Sequence, residues 1–134
     1  MHANLLDMKK LLVLLGFSLV IMSFSFRQSS DDVVKALKTA DTEQLTTYLD
    51  NMIDMKLPDN VNEIKDINRT QAGIKLKSFF SEYNISGFEL SSTKEMGSLM
   101  AITGKLNSSK KDYNLTLMLK EKGGKHYIIT LRVS

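Results

Sequence analysis

The 134-residue chain predicts an α+β fold in which helices pack on a strongly curved antiparallel sheet. Three observations predict it. Apolar residues recur at helical spacing between Asp31 and Tyr83, interrupted by one alternating run after Asn51. From Ile85 onward four segments alternate apolar and polar residues, each closed by turn-forming residues. One face of those segments is apolar enough to require a cover, which the helices can supply.

The chain begins with a short polar stretch ending in Lys9 and Lys10, followed by an uncharged run from Leu11 to Phe26 and then by "RQSSDD". A positive start, an apolar run and a small-x-small exit at Ser23 and Ser25 predict a secretory signal peptide over residues 1–25. Residues 26–30 then form a short linker and residues 31–134 a single domain. The competing reading is a retained anchor, but the run falls short of the ~18–20 apolar residues of a spanning helix. The protein is therefore expected to be exported, periplasmic or extracellular, with no stable membrane span after signal cleavage. Without cysteine it gains no lipid anchor on a thiol and no disulfide, so packing must stabilise it. The full chain carries a net charge of +3, and losing Lys9, Lys10 and Asp7 lowers it by one unit. So small a charge excludes nucleic acid as the expected partner.

The elements follow in order. "SSDDVVKALKTA" starts with polar and acidic residues suited to a helix N-terminus, and Val33, Val34, Leu37 and Ala40 recur at helical spacing. Asp41, three residues before Gln44, caps a second short helix, "TEQLTTYL". Ile53, Met55 and Leu57 alternate with Asp54 and Lys56 in a strand that Pro58 ends. Residues 59–69 read as a polar connection. In "TQAGIKLKSFFSEY", Ala72, Leu76, Phe79, Phe80 and Tyr83 form one helical stripe.

Four strands follow: "ISGFELSST", "SLMAITGKL", "DYNLTLMLKEK" and "KHYIITLRV". Gly123-Gly124 is the strongest hairpin signal. Plain alternation puts Met100, Ile102, Leu106, Tyr113, Leu115, Leu117, Leu119, Tyr127, Ile129, Leu131 and Val133 on the covered face. The other face then presents Leu99, Ala101, Met118, Ile128 and Arg132, an apolar centre with a charged rim that predicts a homodimer through the sheet.

This order, with "LDNMIDMKLP", "TQAGIKLKSFF" and the closing "YIITLRV", resembles the nuclear-transport-factor-2-like superfamily, also called cystatin-like. More narrowly it resembles the exported bacterial family termed domain of unknown function 4783. The likeness runs from about Asp31 to the C-terminus, and its most specific part is Gln71-Ala72 followed by Leu76, Phe79 and Phe80. It implies a cone-shaped fold whose bent sheet encloses helices and often leaves a pocket; it implies no reaction.

The superfamily includes ketosteroid isomerase, so Tyr48, Asp50, Asp54, Tyr83 and Tyr113 are the candidates for proton transfer. Such a role needs a buried acid, yet Asp50 and Asp54 fall opposite the apolar residues of their strand. His126, after a hairpin turn, is expected on the surface. Two histidines and no cysteine give no metal site, and no glycine-rich loop or nucleophile motif suggests a cofactor or a catalytic residue. Lysines crowd the hairpin ends, where they keep exposed strands soluble and block edge pairing; the alternative is a basic patch for anionic lipid headgroups, envelope polysaccharide or an acidic partner.

The resulting expectation is a non-catalytic exported envelope protein. It would bind a small apolar ligand, or a protein partner, through the cone pocket and sheet face. Phe80 and Tyr83 would line the mouth with Tyr48, Met100 and Tyr113, while Phe79 fills the core. The alternative is a small pocket enzyme using an Asp or Tyr for proton transfer.

Overall fold

The computed structural model describes residues 29–134. The expected signal peptide lies outside the described residues, together with residues 26–28 of the expected linker. Ser29 and Ser30, assigned to that linker by sequence, are already helical and buried.

Helix α1 (29–38) buries Val33, Ala36 and Leu37. Ala40 turns the chain into the left-handed region at φ 53°. There the Ala40 amide donates to the Leu37 carbonyl at 3.1 Å and the Asp41 amide to Ala36 at 2.8 Å, satisfying the last carbonyls of the helix. Asp41 also caps α2 (Thr42–Thr47), its side chain accepting from the Gln44 amide at 3.0 Å. The predicted junction of two helices at that aspartate is therefore present.

Strand β1 (Leu49–Lys56) buries Ile53 and Met55, with Leu57 just beyond it, as alternation predicts. The polar connection that follows contains a strand missed by the sequence reading, β2 (Ile64–Asn68). Its alternation is hidden because Asp66 sits at φ 54° and spaces Ile64 and Ile67 by three rather than two. The Asp54 carboxylate accepts from the Asp66 amide at 3.1 Å and holds that kink. Asn68 then caps α3 (Arg69–Glu82), accepting from the Gln71 amide at 2.9 Å. Ala72, Leu76, Phe79 and Phe80 form its buried stripe.

The meander consists of β3 (Ile85–Met96), β4 (Leu99–Ser108), β5 (Tyr113–Lys122) and β6 (Lys125–Val133). Strand β3 runs through Lys94–Met96, where the sequence suggested a turn; the reversal needs only Gly97, at φ 64°, and Ser98 between the paired Met96 and Leu99. Gly123 and Gly124, at φ 58° and 81°, make the two-residue turn that a right-twisted hairpin favours. The six strands are ordered β2-β1-β6-β5-β4-β3, with β1 parallel to β6 and the other neighbours antiparallel.

Bulges curve this sheet. Ser86 and Ser91 are skipped in the pairing of β3 with β4, and Ile129 is skipped between the Met118–Thr130 and Leu119–Ile128 pairs. Each extra residue bends its strand and increases the local twist. The bulge at Ile129 also corrects the sequence reading of β6, since it reverses the phase of everything before it. His126 and Ile128 face inward and are buried, whereas Tyr127 is only partly so. Gly104 lies on the concave face because no larger residue fits. A Cβ there would stand 2.4 Å from the Phe88 ring and 2.3 Å from the Glu89 carbonyl.

Candidate functional site

Tyr83 ends α3 and Tyr113 begins β5, and the pairing of Tyr113 with Leu106 brings the two tyrosines to the same end of the molecule. Their rings meet edge to face, 5.5 Å apart at 76°. Phe79 backs both, with centroids 4.8 Å from Tyr83 and 6.0 Å from Tyr113. Edge-to-face packing of this kind fixes ring orientation beyond simple burial. Phe79 fills the core as expected and backs the tyrosines from beneath, whereas Phe80, expected at the mouth, is also buried and meets Phe79 at 5.9 Å. Lys111 lies over Tyr113, its Nζ 4.9 Å from the ring centroid.

Around the tyrosines is a surface notch of about 240 Å³, lined also by Glu82, Asn84, Ser108, Ser109 and Lys110. Partial burial raises the Tyr83 phenol above its ordinary pKa of 10.0, with further upward contributions from Asp59, Tyr113 and Glu82. Its hydroxyl therefore keeps its proton at neutral pH. Asn84 projects from a left-handed position at φ 53°, a conformation asparagine tolerates better than most residues.

Tyr48 and Met100 do not join this group. The Tyr48 hydroxyl donates to Asp32 at 2.9 Å, and the Tyr48 carbonyl accepts from the Ile128 amide at 2.8 Å, so the residue ties α1 to β6. Burial and then the Asp32 carboxylate raise its pKa. Met100 is buried opposite Leu119, roughly 20 Å along β4 from Leu106 at ~3.3 Å per residue.

The concave face is closed by side chains. Ile102, Leu106, Leu115, Leu117, Leu119 and Leu131 share one core with Val33, Leu37, Leu76 and Phe79, each exposed by no more than 2%. Beside that core a groove of about 420 Å³ opens between α1 and the β3–β4 hairpin. Val34 and Leu90 supply its apolar surface above buried Ile102, and Ser30, Asp31, Lys35, Lys38 and Thr93 its polar rim. Leu90 is 42% exposed, unusual for a leucine on the inner side of a curved sheet. The sequence reading missed this groove. The available signal was the near-absence of apolar residues after Leu90 in β3, which marks a strand end that stays exposed.

Among the described residues no carboxylate is buried. Asp50 pairs with Lys122, whose hydrogen bond holds the Asp50 pKa below its ordinary value, and Asp54 is used by the Asp66 amide. His126 is buried rather than superficial: the Ser29 hydroxyl lies 3.4 Å from its Nδ1, and its amide donates to the same hydroxyl at 3.2 Å. Among the described residues no group of three His, Asp or Glu could hold a metal, and no helix is long and apolar enough to cross a membrane.

On the outer face, Leu99, Ala101 and Met118 are partly buried and Arg132 is exposed, its guanidinium 2.9 Å from Glu63. Ile128, placed there by plain alternation, is fully buried on the opposite face because of the bulge at Ile129. Tyr127 replaces it outside, opposite Lys120.

Comparison with known proteins places this geometry. A family model described as domain of unknown function (DUF4783) matches residues 30–134. A DUF4783 family protein from Bacteroides ovatus superposes with a TM-score of 0.69 at 17% identity, over 76% of this chain and 90% of that one. One from Bacteroides fragilis gives 0.68 at 22% identity, over 76% and 93%. An NTF2-like protein of unknown function from Cytophaga hutchinsonii gives 0.57 at 13% identity, over 81% and 87%. At these identities the likeness establishes the fold, the nuclear-transport-factor-2-like cone expected from the sequence. No curated protein matches the chain.

Proposed function

This chain belongs to the DUF4783 family, and from that premise we propose that it is an exported, non-catalytic binding domain whose α1 groove takes a small amphiphilic ligand. Val34 and Leu90 receive the apolar body, and Lys35 and Lys38 attract an anionic head. The observation that carries this reading is the groove itself. Its volume of about 420 Å³ falls in the range of small-molecule sites, which combine an apolar lining with a few convergent polar groups. Export is supported by the lysine-led apolar run from Leu11 to Phe26. A homodimer through the outer sheet face is supported by Leu99, Ala101 and Met118, with Arg132 at the rim and Tyr127 in the place first given to Ile128.

Proton transfer is less well supported. Its candidate acids, Asp50 and Asp54, are already engaged by Lys122 and by a backbone amide.

Native mass spectrometry of the protein purified from its own envelope reports bound ligand and oligomeric state together. Decanoate serves as a defined probe. Saturable binding is expected, weakened at least about tenfold by Leu90→Asp, which adds a like charge beside the head. A protein that neither carries a ligand nor binds decanoate would refute the groove assignment. A monomer mass at micromolar concentration would remove the dimer.

A further inference from the structure

We propose that the notch formed by Tyr83, Asn84, Ser109 and Lys110 binds a single pyranose ring, either as a free sugar or as the end of a polysaccharide. This site is separate from the α1 groove. Ser108 in the notch lies roughly 20 Å along β4 from Ile102 in the groove.

The argument rests on what the notch combines. Tyr83 is partly exposed and its ring is held by contacts with Phe79 and Tyr113, so presenting it costs little further ordering. Lys111 covers the Tyr113 ring, which leaves Tyr83 as the platform. A carboxylate, an amide, two hydroxyls and an ammonium surround that platform, from Glu82, Asn84, Ser108, Ser109 and Lys110. A pyranose matches both halves, with a flat C–H face for the ring and a girdle of hydroxyls that donate and accept. A wholly apolar ligand would take water away from these polar groups without replacing its hydrogen bonds. An inorganic anion would make no use of the ring and would meet the Glu82 carboxylate. At about 240 Å³ the notch suits one ring rather than a chain lying along it.

The glycan chemistry is tested by titrating the purified protein with glucose, galactose, N-acetylglucosamine, a soluble glucan and sulfate, following the tyrosine ring resonances by NMR. At least one saccharide is expected to shift the Tyr83 resonances saturably. Affinity should fall about tenfold or more in Asn84→Gly, which keeps the left-handed backbone and deletes the amide. Tyr83→Phe should retain the platform, and Tyr83→Ala should lose it. Saturation by a monosaccharide supports a free sugar, and saturation by the glucan alone supports a polysaccharide end. The proposal is overturned if no saccharide saturates, if a folded Tyr83→Ala binds as well as the parent, or if sulfate displaces the sugar at equal concentration.

Discussion

Strands β3 and β4 contribute to two regions that differ in one respect. At the Ile85–Leu106 end, Ile85, Phe88 and Leu106 are buried together with the ring cluster of α3. At the other end, residues 89–96 of β3 are exposed throughout, even though their hydrogen-bonded pairing with β4 continues to Met96 and Leu99. The ladder runs through both; among the described residues, the side-chain cover above β3 does not. Backbone pairing thus defines the hairpin, while side-chain cover decides how much of β3 joins the core; β4 keeps Met100 and Ile102 buried at the same end.

Substitutions in the two regions should break that comparison most sharply. Leu117→Ala, in the fully buried centre of the sheet, should cost about 2–5 kcal/mol, read as a lowered urea midpoint. Gly104→Ala tests the covered half of the hairpin itself. The added methyl must displace the Phe88 ring and the Glu89 carbonyl, and a loss of about 1–3 kcal/mol is expected. Asp41→Ala removes the α2 cap at the point where α1 also ends, and should cost about 1 kcal/mol. Smallest of all, Leu90→Ser in the uncovered half should stay within ~0.5 kcal/mol while weakening decanoate binding. A large stability loss for Leu90→Ser would mean that something covers the arm in solution.

The same contrast has an electrostatic form. Because the hydrogen bond from Lys122 lowers the Asp50 pKa, the pair stabilises the fold above the ordinary carboxylate value of 3.8, and this contribution is lost as pH falls through the lower folded value. Lys122 is half exposed, so the effect should remain below ~1 kcal/mol. Urea midpoints recorded across the acid range, in the parent and in Lys122→Met, would measure it.

Local chemistry was legible in the sequence wherever one residue determines one structural event. Asp41 and Gly123-Gly124 announce a cap and a turn, and the stripe from Ala72 to Phe80 announces its buried face. Features that depend on phase were not legible. Nothing in "KHYIITLRV" reveals that Ile129 is an extra residue, so His126 and Ile128 fall on the wrong face under strict alternation. Strand β2 was obscured by the left-handed Asp66 in the same way. In the candidate site, the meeting of Tyr83 with Tyr113 follows from laying α3 across the sheet. The separation of Tyr48 and Met100 required knowing how far along β4 and β6 each lies. The groove beside α1 was invisible because it is created by cover that is lacking, and lacking cover leaves few marks in a residue pattern.

Placing β1 beside β6 has a consequence for how the molecule is made. A nascent chain that stops short of Lys125 already holds the helices and β1–β5, yet β1 and β5 both lack the neighbour that joins them. The two halves of the sheet therefore become one only when β6 slots between them. Long-range closure of this sort is slow compared with hairpin formation, which gives the unfinished polypeptide time in which it is not yet locked.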